Sequence, residues 1–309
     1  MKKKILKILI IIYFLILFSL VMNVFFNQGI YIKKYNLKFE NLPEEFDNYK
    51  IVQLTDIHSI RTKEQIEQIV NKIESQNPDI IFITGDLIDS GYYANQQSAK
   101  AEKKIPIIES LTIRFVQELT KISKVYYVYG NHEMMLLDDP ENNEFKIAVE
   151  DAGVKILNNR IDYLYKEEEK IKLIGLQDPA CLYKDEVYSK LEGSSSDKAR
   201  AILEDLYVQD NSNEFTILLA HRPECFEVYA NYNIDLVLSG HTHGGMLRLP
   251  FIRGIYAHPQ GFFPDYSYGI YKNRNSTMVV GAGIGYSGNI HFRVYNLPEI
   301  EVINLIKGE

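Results

Sequence analysis

The sequence predicts an α/β sheet fold preceded by a single membrane-spanning helix. Three observations carry this. A lysine-rich start is followed by 19 residues without a charge, 8–26. Short apolar runs then alternate with stretches of helical periodicity, the pattern of an α/β sheet. Five of those runs end in a polar residue able to bind metal.

The first element is the apolar one. MKKKILK holds four lysines, and the uncharged stretch behind it is long enough to cross a bilayer, which needs about 20 residues. A secretory signal has a shorter apolar region of ~7–15 residues and a small-residue cleavage site. Residues 21–26 (VMNVFF) offer no such site. The reading is an uncleaved signal anchor, with a cleaved signal as the alternative. A buried core helix fits poorly because the stretch has no polar face. The lysines precede the span, so the positive-inside rule leaves the N-terminus in the cytoplasm. Lys33 and Lys34 on the far side pull against that rule. The chain divides into 1–29, a cytoplasmic start and anchor, and 30–309, an extracytoplasmic domain on a single-pass cell-membrane protein.

The rest is ordinary globular composition: 309 residues, 46% hydrophobic and 24% charged. Residues 1–34 hold six of the 34 basic residues and none of the 41 acidic ones, so the remainder carries a net charge of −13. Such a surface repels polyanions and lacks the basic patch of a nucleic-acid binder. Cys181 and Cys225 make no framework; free buried thiols are expected, with one disulfide the alternative.

Helices and loops follow in order. Thr62 and Gln65 resemble a capping box. Ile66, Ile69, Val70 and Ile73 then mark one helical face, ended by Pro78. A second helix is expected over 105–121 and a third over 144–152, stopped by Gly153. Residues 90–101 and 193–198 (GSSSDK) read as loops, and KEEEK at 166–170 as a turn between strands.

The strand-like runs are IVQL (51–54), DIIFIT (79–84), VYYVY (125–129), FTILLA (215–220) and IDLVLS (234–239). They lead into Asp56 and His58, Gly85-Asp86, Gly130-Asn131-His132-Glu133, His221, and Gly240-His241-Thr242-His243. Ligands of open α/β sheets sit at the carboxyl ends of strands, so these ends are expected to meet. Asp56, His58, Asp86, Asn131, His221, His241 and His243 make seven oxygen and nitrogen donors and no sulfur. Seven suit two ions sharing a carboxylate, and the donor types suit manganese, iron or zinc. Two ions ~3.5–4 Å apart clamp the attacking and leaving oxygens of a phosphoryl displacement. In SGHTHGG (239–245), an extended backbone would turn both histidines one way and Thr242 the other.

These five blocks, D-x-H, G-D, G-N-H-E, a lone His and G-H-x-H, stand in the order of the calcineurin-like metallophosphoesterases, which the chain resembles over about 48–245. The membrane-anchored, phosphodiesterase-like branch is the nearest in pattern. The resemblance implies a two-sheet metallophosphoesterase sandwich flanked by helices. It implies that Asp56, His58 and His243 hold one divalent ion, that Asn131, His221 and His241 hold the second, and that Asp86 bridges them. It makes His132 a non-ligand that protonates the leaving oxygen or stabilises the transition state, oriented by Glu133 or Asp56. The branch often continues G-H-T-H-G-G-Q; Met246 stands here at that glutamine.

The expected activity is two-metal hydrolysis of a phosphodiester or pyrophosphate of a membrane or envelope molecule. Phosphomonoesterase, nucleotide phosphodiesterase and non-catalytic metal-binding scaffold remain alternatives. A small phosphoester or phospholipid-like substrate is expected, and neither nucleic acid nor an obligate protein partner. Arg222 and Arg248 are candidates for substrate phosphate or plain solvated side chains. His258 and His291 are expected to be structural. Tyr92, Tyr93, Tyr266 and Tyr268 are pocket or membrane candidates against a background of ordinary packing.

Overall fold

The computed structural model of the protein describes residues 2–26, 29–58, 60–89, 110–136, 143–185, 187–210, 212–249, 252–285 and 293–308. In chain order the helices are α1 (Lys2–Phe26), α2 (Lys63–Glu74), α3 (Leu111–Ile122), α4 (Asn131–Leu136), α5 (Glu144–Asp151), α6 (Ser195–Gln209) and α7 (Phe226–Tyr229). The strands are β1 (Tyr31–Phe39), β2 (Lys50–Leu54), β3 (Ile80–Thr84), β4 (Lys124–Val128), β5 (Val154–Ile156), β6 (Arg160–Lys166), β7 (Glu169–Leu176), β8 (Thr216–Ala220) and β9 (Leu236–Ser239). Short pieces follow, β10 (Arg248–Leu249), β11 (Ile252–Gly254), β12 (Tyr256–Ala257) and β13 (Gly261–Phe262), then β14 (Gly269–Asn273), β15 (Ser276–Val280) and β16 (Glu299–Lys307).

Two six-stranded sheets form, in orders β1-β16-β2-β3-β4-β5 and β14-β15-β9-β8-β7-β6. Their facing sides interleave: Ile51, Phe82 and Tyr126 from the first meet Leu173, Ile217, Leu219, Leu236 and Val279 from the second. The alternate residues, such as Val52, Ile81 and Ile83, turn outward against α2, α3 and α5. On the other sheet Ile174, Leu218 and Val237 turn outward against α6. Each central strand is thus covered on both faces, which is why those runs are apolar throughout rather than alternating.

The five runs become β2, β3, β4, β8 and β9. Strands β2 to β5 are parallel, as are β7, β8, β9 and β15. Their carboxyl ends therefore share an edge. Gln53 crosses between sheets there, donating to the Ser239 carbonyl at 2.9 Å.

Local chemistry sets the helix ends. Thr62 Oγ1 accepts from Gln65 N at 3.1 Å, but the Gln65 side chain caps Arg61 N rather than Thr62 N. α2 ends at Glu74, before Pro78, and Asn77 takes a left-handed turn. α3 starts at Leu111 behind its cap Ser110; the expected residues 105–109 and the loop 90–101, with Tyr92 and Tyr93, lie outside the described residues. The stretch 193–198 is not a loop. Ser194 and Asp197 form a reciprocal capping box that starts α6, and such a cap stabilises by about 1 kcal/mol. KEEEK is the expected turn, joining β6 to β7. Both cysteines are free.

α1 is apolar over Lys3–Asn23 and long enough to cross a membrane.

Candidate active site

All eight residues singled out in the sequence converge where the two sheets meet. Asp56, His58 and His243 place ligand atoms within 4.8 Å of one another, and so do Asp86, His221 and His241. Asp86 lies between the groups: its Oδ2 is 3.2 Å from His221 Nε2 and 3.8 Å from His58 Nε2. Asn131 Oδ1 reaches His221 Nε2 at 3.3 Å. His58 and His243 stack, with Nε2 atoms 3.0 Å apart.

Backbone geometry explains the convergence. Asp56, His58, Asp86, His241 and His243 all hold positive φ, between 48° and 70°. Non-glycine residues rarely adopt that region, and such strain gathers at functional sites. Hydrogen bonds hold it. The Asp86 carbonyl accepts from Ile57 N and His58 N, and Asp56 accepts from His241 N through both oxygens. Glu133 accepts from the N–H groups of Asp86, Ile88 and Gly130, tying the β3 and β4 ends together. Gly85, at φ +97°, is required twice over, because a Cβ there would collide with the His221 ring.

The donor set fits metal ions. Burial pushes His58 and His243 down to about 3 and His241 well below its ordinary value, leaving the neutral imidazoles that ligate metals. Among the described residues, the buried His241 Nε2 and His58 Nδ1 have no hydrogen-bond partner. His221 Nδ1 bonds the Thr84 carbonyl at 2.8 Å, which turns Nε2 toward Asp86, the outer-shell arrangement usual for a ligand. Burial opposes a charge on His221, but Asp86 outweighs it and takes the ring up to about 10. Ligation at Nε2 therefore competes with a proton.

His132 sits at the mouth. Its Nε2 lies 4.0 Å from Asp86 Oδ2, and its Nδ1 lies 3.5 Å from Asp89 Oδ1. Burial opposes its charge; Asp86, Asp89 and Glu133 together overcome that and raise it to about 9. Asp89, not Glu133 or Asp56, is the carboxylate on the ring's far nitrogen. Its place three residues after Asp86 was the available signal. His58, Asp89 and His132 also make a third compact group of possible metal donors.

Several expectations change. His241 and His243 lie not on an extended strand but on a tight loop past β9, where Thr242 still turns away, donating to the Ser267 carbonyl at 2.8 Å. His258 is not remote. With Asn131, His132, His243, Met246 and Tyr256 it lines a cavity of about 300 Å³, and its ring lies 6.3 Å from that of His241. Arg222 meets no substrate space; it is buried and paired with Asp178 and Glu224. Arg248 is held over the Tyr268 ring at 3.5 Å. Tyr266 packs against Phe226 and Tyr271. His291 lies outside the described residues.

A two-sheet sandwich with paired His/Asp clusters at its strand ends defines a metal-dependent hydrolase. The chain belongs to the calcineurin-like phosphoesterase family, whose model matches residues 49–245. It is similar to an uncharacterized metallophosphoesterase of Bacillus subtilis, 28% identical over 276 residues, 88% of this chain and 84% of that one. A Campylobacter jejuni relative, also an uncharacterized metallophosphoesterase, is 30% identical over 285 residues, 90% of this chain. The chain spans 63% of that relative's length. A Danio rerio transmembrane protein with a metallophosphoesterase domain is 28% identical over 279 residues, 86% of this chain and 55% of that one. The chain is thus a metallophosphoesterase, a hydrolase of phosphoesters whose clusters can hold metal ions.

Proposed function

We propose that this metallophosphoesterase cleaves a phosphodiester or pyrophosphate of a membrane or envelope molecule, from an anchor at 1–29 and a catalytic domain at 30–309 outside the cytoplasm. The observation that carries the chemistry is Asp86, set between the two clusters. Asp56, His58 and His243 would hold one divalent ion, Asn131, His221 and His241 would hold the other, and the Asp86 carboxylate would serve both. When bound, such an ion pair supplies an acidic water near neutral pH and neutralises charge on the phosphoryl group. His132, protonated at the mouth, gives its proton to the leaving oxygen, and Asp89 holds the ring for that transfer. The apolar α1 and the transmembrane Danio relative support the membrane setting. The acidic domain favours a small substrate over a long polyanion.

The test uses full-length protein in detergent, stripped of metal and given manganese, zinc, iron(II) or magnesium in turn. Bis-p-nitrophenyl phosphate should be hydrolysed in preference to p-nitrophenyl phosphate, and a lipid extract should release phosphorylated headgroups. Preference for the monoester, or intact lipids under full activity on the soluble diester, contradicts this substrate class.

A further inference from the structure

The anchor helix enters the fold at the same end as the site. β16 runs antiparallel to β2 and parallel to β1. β1 therefore begins at the end of the sheet where β2 finishes and leads into Asp56, with β16 between the two strands. The helix touches the domain at that end. Asn23, buried, donates to the Arg293 carbonyl at 2.8 Å and accepts from Tyr295 N, and Ser19 bonds the Tyr295 hydroxyl. The next residue, Asn296, donates from its side chain to the His243 carbonyl at 2.5 Å. The Val294 carbonyl accepts from Arg248 N at 2.9 Å, the Leu247 carbonyl from Ile255 N at 2.8 Å, and the Ile255 carbonyl from Phe263 N at 2.7 Å. A continuous run of bonds thus links the anchor, the His243 loop and the β12–β13 hairpin.

That hairpin presents aromatic rings to solvent. Phe262 is 74% exposed and Phe263 70%. Tyr256 stands edge to face with Phe262 at 5.3 Å and lines the cavity mouth. Clustered exposed apolar rings mark interaction surfaces, and aromatic rings are favoured at the membrane–water interface.

We propose that the β12–β13 hairpin is a second membrane contact: Phe262 and Phe263 enter the interfacial layer of the bilayer that holds α1, and the cavity opens onto that layer beside them. The inference rests on the membrane-anchored reading above and deepens it. Phosphoester groups of lipids reach the site from the plane of the membrane.

The chain has no tryptophan, so one introduced indole is the only such emitter. Full-length Phe263→Trp is reconstituted into phosphatidylcholine–phosphatidylglycerol vesicles with or without brominated acyl chains. Its emission should shift to the blue and be quenched by the brominated lipid. Phe262→Trp should behave alike and guards against local misfolding at Phe263, which holds φ +55°. Val208→Trp is the reference: Val208 is 86% exposed near the end of α6 that leads to the start of β8, opposite His221, and should not be quenched. Flotation with the vesicles is read first. A chain that does not float overturns both the anchor and the contact. A chain that floats while both phenylalanine variants match Val208→Trp overturns the hairpin contact and leaves the anchor standing. Neither readout needs hydrolysis, so an error in the substrate class leaves them unchanged.

Discussion

The site has two walls built in different ways. The inner wall is made of strand ends: Asp56, Asp86, Asn131, His221 and His241 each stand one to three residues past a central strand. The outer wall, with Met246, Tyr256 and His258, is a chain segment that leaves β9 and doubles back through two-stranded hairpins. Asp56, Asp86 and His221 are buried, and Asp56, Asp86 and His241 hold positive φ, fixed by hydrogen bonds such as that of His241 N to Asp56. Outer residues are partly or largely exposed and lie on the two-residue strand β12 or in the bends and turns that flank such short strands. The contrast teaches a division of labour, in which the sheets place the candidate metal donors and the returning segment walls the cavity beside them.

Breaking the inner wall should cost most. Asp86→Asn removes the carboxylate between the clusters and should lower kcat on the soluble diester by on the order of 10³-fold or more. A loss below about tenfold would take the chemistry away from the inner wall. His132→Ala should lower kcat by about 10²- to 10⁴-fold while bound metal stays unchanged, read by elemental analysis beside the assay. Loss of metal with it would make His132 a ligand, as the His58, Asp89 and His132 grouping allows.

The outer wall should answer differently. His258→Ala or Tyr256→Ala removes a pocket contact and should raise KM by about tenfold, with kcat nearly unchanged. An equal fall in kcat would erase the distinction between the walls.

An effect on stability rather than turnover lies beneath the inner wall, where Glu301 accepts from Ala282 N. Burial, then Glu299, raises the buried Glu301 from 4.5 to about 8. Its folded-state value exceeds its unfolded value, so its stabilising contribution is complete below about 4.5 and is lost as pH rises through about 8. Glu301→Gln mimics the neutral acid. The melting temperature of the variant, relative to wild type, should climb across that window; parallel curves would contradict it.

The two walls also differ in how far they can be read from sequence. All five central strands are legible because strands covered on both faces must be apolar throughout, and their ends carry the candidate metal donors. The α2 cap at Thr62 is legible because capping is local. Ser194 and Asp197 carry the same kind of local signal, hidden in a serine-rich stretch that resembles a loop. His258 is not legible: only the return of the chain after β9 brings it to His241, 17 residues away along the sequence. β16 between β1 and β2 is a pairing across most of the chain, which no local period records. The turn at His241 and His243 escapes the alternation rule because β9 stops at Ser239 and the strained loop takes over.

The most direct measurement is metal stoichiometry on the full-length chain, by elemental analysis after loading with manganese and removal of excess. Two ions per chain, falling to one or none in Asp86→Asn, is the result expected of paired clusters sharing that carboxylate. One ion in the wild type, or two retained by Asp86→Asn, would contradict it.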